Sequence, residues 1–153
     1  MIWIDNNIFM QIIRRGFVVK KEKNVLLVYP EVPKNTYWSF QYALKFTGKK
    51  SAMPPLSLIT IAAYFPEIYR FRLKDLNIEP LRDEDIQWAD QVYVSAMIVQ
   101  KDSFDAVLAA CNRLETTVVA GGAYPTSSHT EIKGGDHCVL GEVENTLPGV
   151  IGA

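Results

Sequence analysis

Residues 91–122 read QVYVSAMIVQKDSFDAVLAACNRLETTVVAGG, and the fold is decided there. The stretch opens on a β-branched run, Gln91 to Ser95, and closes on another, Thr117 to Ala120. Both are nearly continuous in apolar character, as strands are when a sheet is covered on both faces. Between them, Ser103 to Leu114 sets Phe104, Val107, Leu108 and Cys111 on one side at helical spacing. Asp102 stands where a cap or a first-turn charge favours a helix N-terminus. Strand, helix and strand in this order mark an alternating α/β domain with a parallel sheet.

The same alternation extends outward in both directions. Val25 to Tyr29, Tyr69 to Leu73 and His137 to Leu140 read as three further strands. Leu56 to Tyr64 reads as a helix opened by Pro54 and Pro55, with Leu58, Ile61, Ala62 and Phe65 on one side. A short helix is expected at Asp83 to Trp88 and another from about Pro125 to Ile132. A last one begins at Glu142, before Pro148, Gly149 and Gly152 interrupt it. Right-handed crossovers then give a doubly wound, five-stranded parallel sheet of order 2-1-3-4-5 with helices on both faces, a flavodoxin-like α/β fold. In such a sheet the ligand lies at the carboxyl ends of the strands, so the residues just after each strand carry the information. The connection from Pro30 to Met53 is too long for a tight unit. It carries Tyr37, Trp38, Phe40, Tyr42 and Phe46 and reads as a loop facing a ligand or a partner, or as an aromatic lid on the core edge.

Size and charge narrow the function. The chain has 153 residues, 48% of them hydrophobic, enough for one core and one domain. Sixteen basic against 17 acidic residues leave a formal charge of -1 and give no electrostatic reason to expect nucleic acid or an anionic membrane, so a small molecule is the expected ligand. Cys111 and Cys138 form no metal-spaced or redox motif, which suits a reducing cytoplasm. The apolar stretch Leu56 to Phe65 is about half of the roughly 20 residues that a spanning helix needs, so no transmembrane segment is expected. Met1 to Phe17 places Ile8, Phe9, Ile12 and Ile13 at helical spacing ahead of Arg14 and Arg15, the reverse of a secretory signal. The expected division is an N-terminal extension over 1–23, a binding domain over 24–148 and a tail over 149–153.

Three loops carry a family resemblance. They are Val94-Ser95-Ala96-Met97-Ile98 after the third strand, Ala120-Gly121-Gly122-Ala123-Tyr124-Pro125 after the fourth, and Gly141-Glu142-Val143-Glu144 after the fifth. They resemble the Ser-x-Leu, Gly-Gly and Gly-Glu-x-Glu signatures of cobalamin-binding domains, with Met97 where Leu is usual. Pro54-Pro55-Leu56-Ser57-Leu58 looks like the Pro-x-Leu-Gly-Leu helix start of the same group, with Ser57 in place of Gly. The resemblance covers Val25 to about Leu147 and is nearest to the N-terminal module of cobalamin-dependent radical S-adenosylmethionine enzymes similar to hopanoid C-methylases.

That resemblance implies a cofactor site made of Ser95, Ala96, Met97, Gly121, Gly122, Ala123, Tyr124, Pro125, Gly141, Glu142 and Glu144. In it the serine hydroxyl meets the benzimidazole tail and the glycines let the backbone close on the nucleotide. Small residues along the path of a flat heterocycle, with a polar handle at the rim, fit that use. Each piece also has a plainer reading: Gly-Gly as a tight strand-to-helix turn, the two glutamates as helix capping. The Asp-x-His-x-x-Gly of mutase-type domains is absent, and no histidine precedes His129. The implied cofactor is therefore cobalamin in a base-off, His-off state, its lower face covered by Tyr37 or Trp38 or left to water. No Cys-x-x-x-Cys-x-x-Cys occurs, so the iron–sulfur cluster and S-adenosylmethionine would belong to a radical S-adenosylmethionine catalytic domain absent from this chain, either supplied in trans or cut away, and neither catalysis by this chain alone nor a protein-held metal is expected here.

Rival ligands fit less well. A flavodoxin's phosphate cradle is replaced by Pro30-Glu31-Val32-Pro33-Lys34. A receiver domain's phosphorylatable Asp is replaced by Ser95 and Ala96. Asp75 could bind a ribose, but no G-x-G-x-x-G follows the first strand. The remaining rival is a truncated or stand-alone domain that keeps the fold and serves as a structural or partner-docking module without cofactor.

Overall fold

The computed structural model describes residues 22–141, and within them the expected sheet is present. β1 (Lys23–Tyr29), β2 (Tyr69–Asp75), β3 (Gln91–Ser95), β4 (Thr117–Gly121) and β5 (His137–Cys138) form one parallel sheet of order β2-β1-β3-β4-β5. Five helices accompany it among the described residues. They are α1 (Gln41–Thr47), α2 (Leu56–Tyr64), α3 (Asp83–Trp88), α4 (Lys101–Arg113) and α5 (Ala123–Ser128), with single 3-10 turns at Tyr37–Ser39 and Ile98–Gln100.

Alternation along the central strands sorts the core into two layers. Val25, Leu27, Tyr29, Tyr93 and Val119 face α2, packing on Leu58, Ile61 and Phe65. Leu26, Val28, Val92, Val94, Val118 and Ala120 face the other way, onto Phe104, Val107, Leu108 and Cys111 of α4, Ile86 of α3 and Tyr124 of α5. Helices therefore cover both faces. Cys111 is buried and Cys138 exposed, both free, and no helix among the described residues is long and apolar enough to cross a membrane.

The register brings the strand ends into line. Tyr29 pairs with Asp75 and lies one step beyond the Val28 and Val94 pair, while Ser95 pairs with Gly121. Asp75, Tyr29, Ser95 and Gly121 thus form one row across the carboxyl edge. Asp75, weighed as a ribose acid, is occupied locally: its Oδ1 accepts from the backbone N–H (2.9 Å) and Nδ2 (2.7 Å) of Asn77.

Several elements differ from the sequence reading by one or two residues at an end, and three differences reshape an element or add one. The long first connection is not all loop: it contains α1, entered through Phe40 at φ 47 and left through Gly48 at φ 65. α5 begins at Ala123 rather than Pro125 and ends at Ser128, after which the chain turns and Glu131 N–H donates to the Ser128 carbonyl (2.9 Å). β5 holds two residues rather than four, because it pairs only with Val119 and Ala120. Residues 1–21 of the N-terminal extension, the helix expected from Glu142, Glu142 and Glu144 themselves, and the tail over 149–153 lie outside the described residues, while Lys23, expected in the extension, opens β1.

Candidate functional site

At the carboxyl edge a cleft of about 280 Å³ opens between α2 and the loops after β3 and β4. It is lined by Tyr29, Pro54, Pro55, Leu56, Ser57, Ser95, Ala96, Met97, Gln100, Gly122 and Ala123. Strand parity explains why Ser95 belongs to it. Ser95 shares the face of Tyr93, the α2 side, and its hydroxyl meets that of Ser57, in the first turn of α2, at 3.0 Å. A second cleft of about 170 Å³, which shares Tyr29, is lined by Glu31, Lys34, Trp38, Lys50, Ser51 and Asn77 among others.

Gln100 ties the two loops that frame this edge. It is fully buried, its Oε1 accepts from Met97 N–H at 2.9 Å and its Nε2 donates to the Pro30 carbonyl at 2.5 Å. One side chain therefore fixes the loop after β3 against the loop after β1. The Tyr29 hydroxyl shares this environment, and burial raises its pKa above the ordinary tyrosine value, with the Gln100 hydrogen bond opposing and Asp75 adding to the rise.

The two glycines have different jobs. Gly122 holds φ +96, and a Cβ there would stand 2.7 Å from Ser95 Oγ and 2.9 Å from both the N and O of Ala96. The contact is made by the neighbouring loop, which also receives a hydrogen bond from Tyr124 N–H to the Ala96 carbonyl (2.9 Å) and gives one from Ala96 N–H to the Gly121 carbonyl (3.2 Å). Gly121 is the last residue of β4, and a Cβ on it would meet only Val139, at 3.8 Å or more.

Of the residues expected at a ligand, Ser95, Ala96, Met97, Gly122 and Ala123 converge on the larger cleft, with Gly121 adjacent in the sheet. Tyr124 and Pro125 do not reach it. Tyr124 is 2% exposed and packs edge-on to Phe104, 5.4 Å between ring centres, on the opposite face of the sheet, and Pro125 is buried beside it in α5. Trp38 lines the second cleft, whereas Tyr37 lies outside both and is 78% exposed. Gly141 stands apart at φ +82, its N–H donating to Thr126 Oγ1 at 3.1 Å. His137 opens β5 and His129 caps α5, both exposed and in neither cleft.

Tyr29 and Gln100 are the residues that motif reading passed over. Tyr29 had a signal, since it ends a strand as Ser95 does. Gln100 had none, because its partner Pro30 is 70 residues away.

Fold and cleft together define a flavodoxin-like α/β domain with a small, mostly apolar site at its strand ends. Over 125 residues, 80% of the chain, it is 37% identical to a protein of Synechocystis described as "Uncharacterized methyltransferase sll1242". Over 122 residues, 79% of the chain, it is 29% identical to the hopanoid C-2 methylase of Rhodopseudomonas palustris. Both matches span 23% of the relative, so the chain corresponds to about a quarter of the length of these methyltransferases. No family model matches the chain, and no solved structure matches it.

Proposed function

We propose that this domain holds cobalamin, base-off and without a histidine ligand, for a methyl-transferring radical S-adenosylmethionine domain. The observation that carries the reading is the cleft beside Ser95, open between α2 and the strand ends and walled by Ser57, Ala96, Gly122 and Ala123. Its volume of about 280 Å³ falls just below the range of drug-sized ligand pockets, about 300 to 1,000 Å³, which suits part of a ligand and not the whole of a large one. A site of that size would take in a flat heterocycle such as the nucleotide base, held by Ser95, Ala96, Gly122 and Ala123. Small side chains give the heterocycle its path, and Ser95 gives it a polar handle.

Similarity to segments of two methyltransferases agrees with this reading, as does the placement of both histidines away from the clefts. Bound cobalamin supplies a cobalt centre able to carry a methyl group, and the organic chemistry is the cofactor's. The chain's own part is to bind the nucleotide end, orient the ring through the β1 and β3 loops and exclude water from the cleft. The iron–sulfur cluster and S-adenosylmethionine belong to the partner domain.

A docking module without cofactor is the second reading, favoured by the exposed Tyr37, Tyr42 and Phe46 (78%, 70% and 92%). Purification with hydroxocobalamin separates the two. A red, stoichiometric complex with a base-off spectrum is expected, and Ala123→Phe, which fills the cleft from an exposed position in the first turn of α5, should remove the colour while the melting temperature holds. A colourless wild-type protein overturns the cofactor reading.

A further inference from the structure

The Ser57 and Ser95 hydroxyls face each other at 3.0 Å across the cleft, although the residues are 38 apart in sequence and belong to different elements. Ser95 is 7% exposed, and Ser57 is the hydrogen-bond partner of its side chain among the described residues. Gly122 closes the space behind the Ser95 oxygen, since even a Cβ there would come within 2.7 Å of it. The hydroxyl therefore has two directions left, toward Ser57 and into the cleft.

Each hydroxyl has one proton to give. If Ser95 donated to Ser57, Ser95 would turn only lone pairs toward a ligand deep in the cleft, and the one free proton would be that of Ser57 at the exposed rim. If Ser57 donates to Ser95, the Ser95 proton is free to point inward, and its donor strength rises because hydrogen bonds in a chain polarise one another. Ser57 is at the exposed rim, so turning its proton inward costs it only a bond to water.

We propose that Ser57 is a positioning residue that aims and polarises Ser95 as a donor toward an unprotonated ring nitrogen of the heterocycle seated in the cleft. This rests on the reading of the cleft as the seat of a corrinoid nucleotide. It assigns a role to the serine that stands where the resembling family has a glycine, which has no hydroxyl to give. The ligand class follows: a nitrogen heterocycle presenting a bare acceptor, such as a benzimidazole released from cobalt.

The test compares two corrinoids, hydroxocobalamin and cobinamide, which keeps the ring and lacks the nucleotide, by absorbance titration of wild type, Ser57→Ala and Ser57→Thr. Loss of one neutral hydrogen bond's worth of orientation predicts that Ser57→Ala weakens hydroxocobalamin binding about five- to tenfold. Cobinamide affinity should stay unchanged, and Ser57→Thr should restore the wild-type value. Equal losses for both corrinoids, or no loss for either, overturn the proposal while leaving the cofactor reading intact. A wild-type protein that takes up neither corrinoid overturns both. Equal melting temperatures for the three proteins confirm that the readout is binding and not folding.

Discussion

Replacing Gln100 with leucine keeps the volume and removes the amide that joins two loops. The side chain is fully buried, and the change strips the partner from Met97 N–H (2.9 Å) and from the Pro30 carbonyl (2.5 Å). The Pro30 oxygen keeps a long contact from Asn77 Nδ2 at 3.4 Å, so its loss is partial, whereas the Met97 donor is orphaned. A buried group left unpaired costs about 1–3 kcal/mol, and the leucine recovers part of this through its apolar surface. One full and one partial loss, less that recovery, leave a net expectation of about 1–3 kcal/mol. For a domain of this size that lowers the melting temperature by roughly 3–12 °C.

Gln100→Glu separates hydrogen bonding from packing. A glutamate can still accept from Met97 N–H, but when ionised it faces the Pro30 carbonyl with no proton to donate, and burial raises its folded pKa. A group whose folded pKa lies above its unfolded value contributes stability below the unfolded pKa and loses it as pH rises through the folded one. Gln100→Glu should therefore approach wild-type stability near pH 4 and fall away toward pH 8, by circular dichroism melts across that range, while Gln100→Leu stays low at every pH. A leucine variant melting within about 2 °C of wild type, or a glutamate variant with a flat pH profile, would refute the reasoning.

Further expectations concern the glycines, the thiol and the core. Gly122→Ala, strained at φ +96 and crowded by Ala96 and Ser95, should lose about 2–3 kcal/mol in urea unfolding. Gly121→Ala, with only ordinary contacts to Val139, should lose under about 1 kcal/mol. Burial pushes the Cys111 thiol up to about 11, with Asp136 adding to it, and Tyr93 up to about 12, with Tyr69 adding to it. Both folded values exceed the unfolded ones, so stability should hold below pH 9 and drain away between about pH 9 and 12, and Cys111→Ala should delay the onset of that loss in alkaline melts. Phe104→Ala, which empties the α4 layer and uncovers Tyr124, should cost about 3–5 kcal/mol by urea denaturation.

The sheet was legible because its strands announce themselves locally: Val25 to Tyr29 is apolar at every position, and all five residues are buried. The site was legible only where a residue's role follows from its place at a strand end, as for Ser95 and Ala96. α1 was hidden because Tyr42, Lys45 and Phe46 are all exposed, so no apolar face betrays a helix. Tyr124 misled for the opposite reason. It follows a glycine turn at the ligand edge, yet the turn into α5 swings its ring to the far side of the sheet, where Phe104 offers an apolar partner.

These placements divide the labour at the carboxyl edge between parts with different freedom to change. Gly122 answers to the backbone of Ala96 and Gln100 to those of Met97 and Pro30, so any flavodoxin-like domain built with these loops would need such residues whether or not it bound a cofactor. Ser57, Ser95 and Ala123 answer to nothing of the kind. Ser57 and Ala123 are exposed in the first turns of α2 and α5, and among the described residues the Ser95 hydroxyl is hydrogen-bonded by Ser57 alone. A change at the first set should therefore register in stability before binding, and a change at the second in binding without stability. The polar handle thus comes from a strand end, at Ser95, and its surroundings from two helix first turns, so selectivity for one heterocycle over another should shift with Ser57 and Ala123 while the framework around them stays fixed.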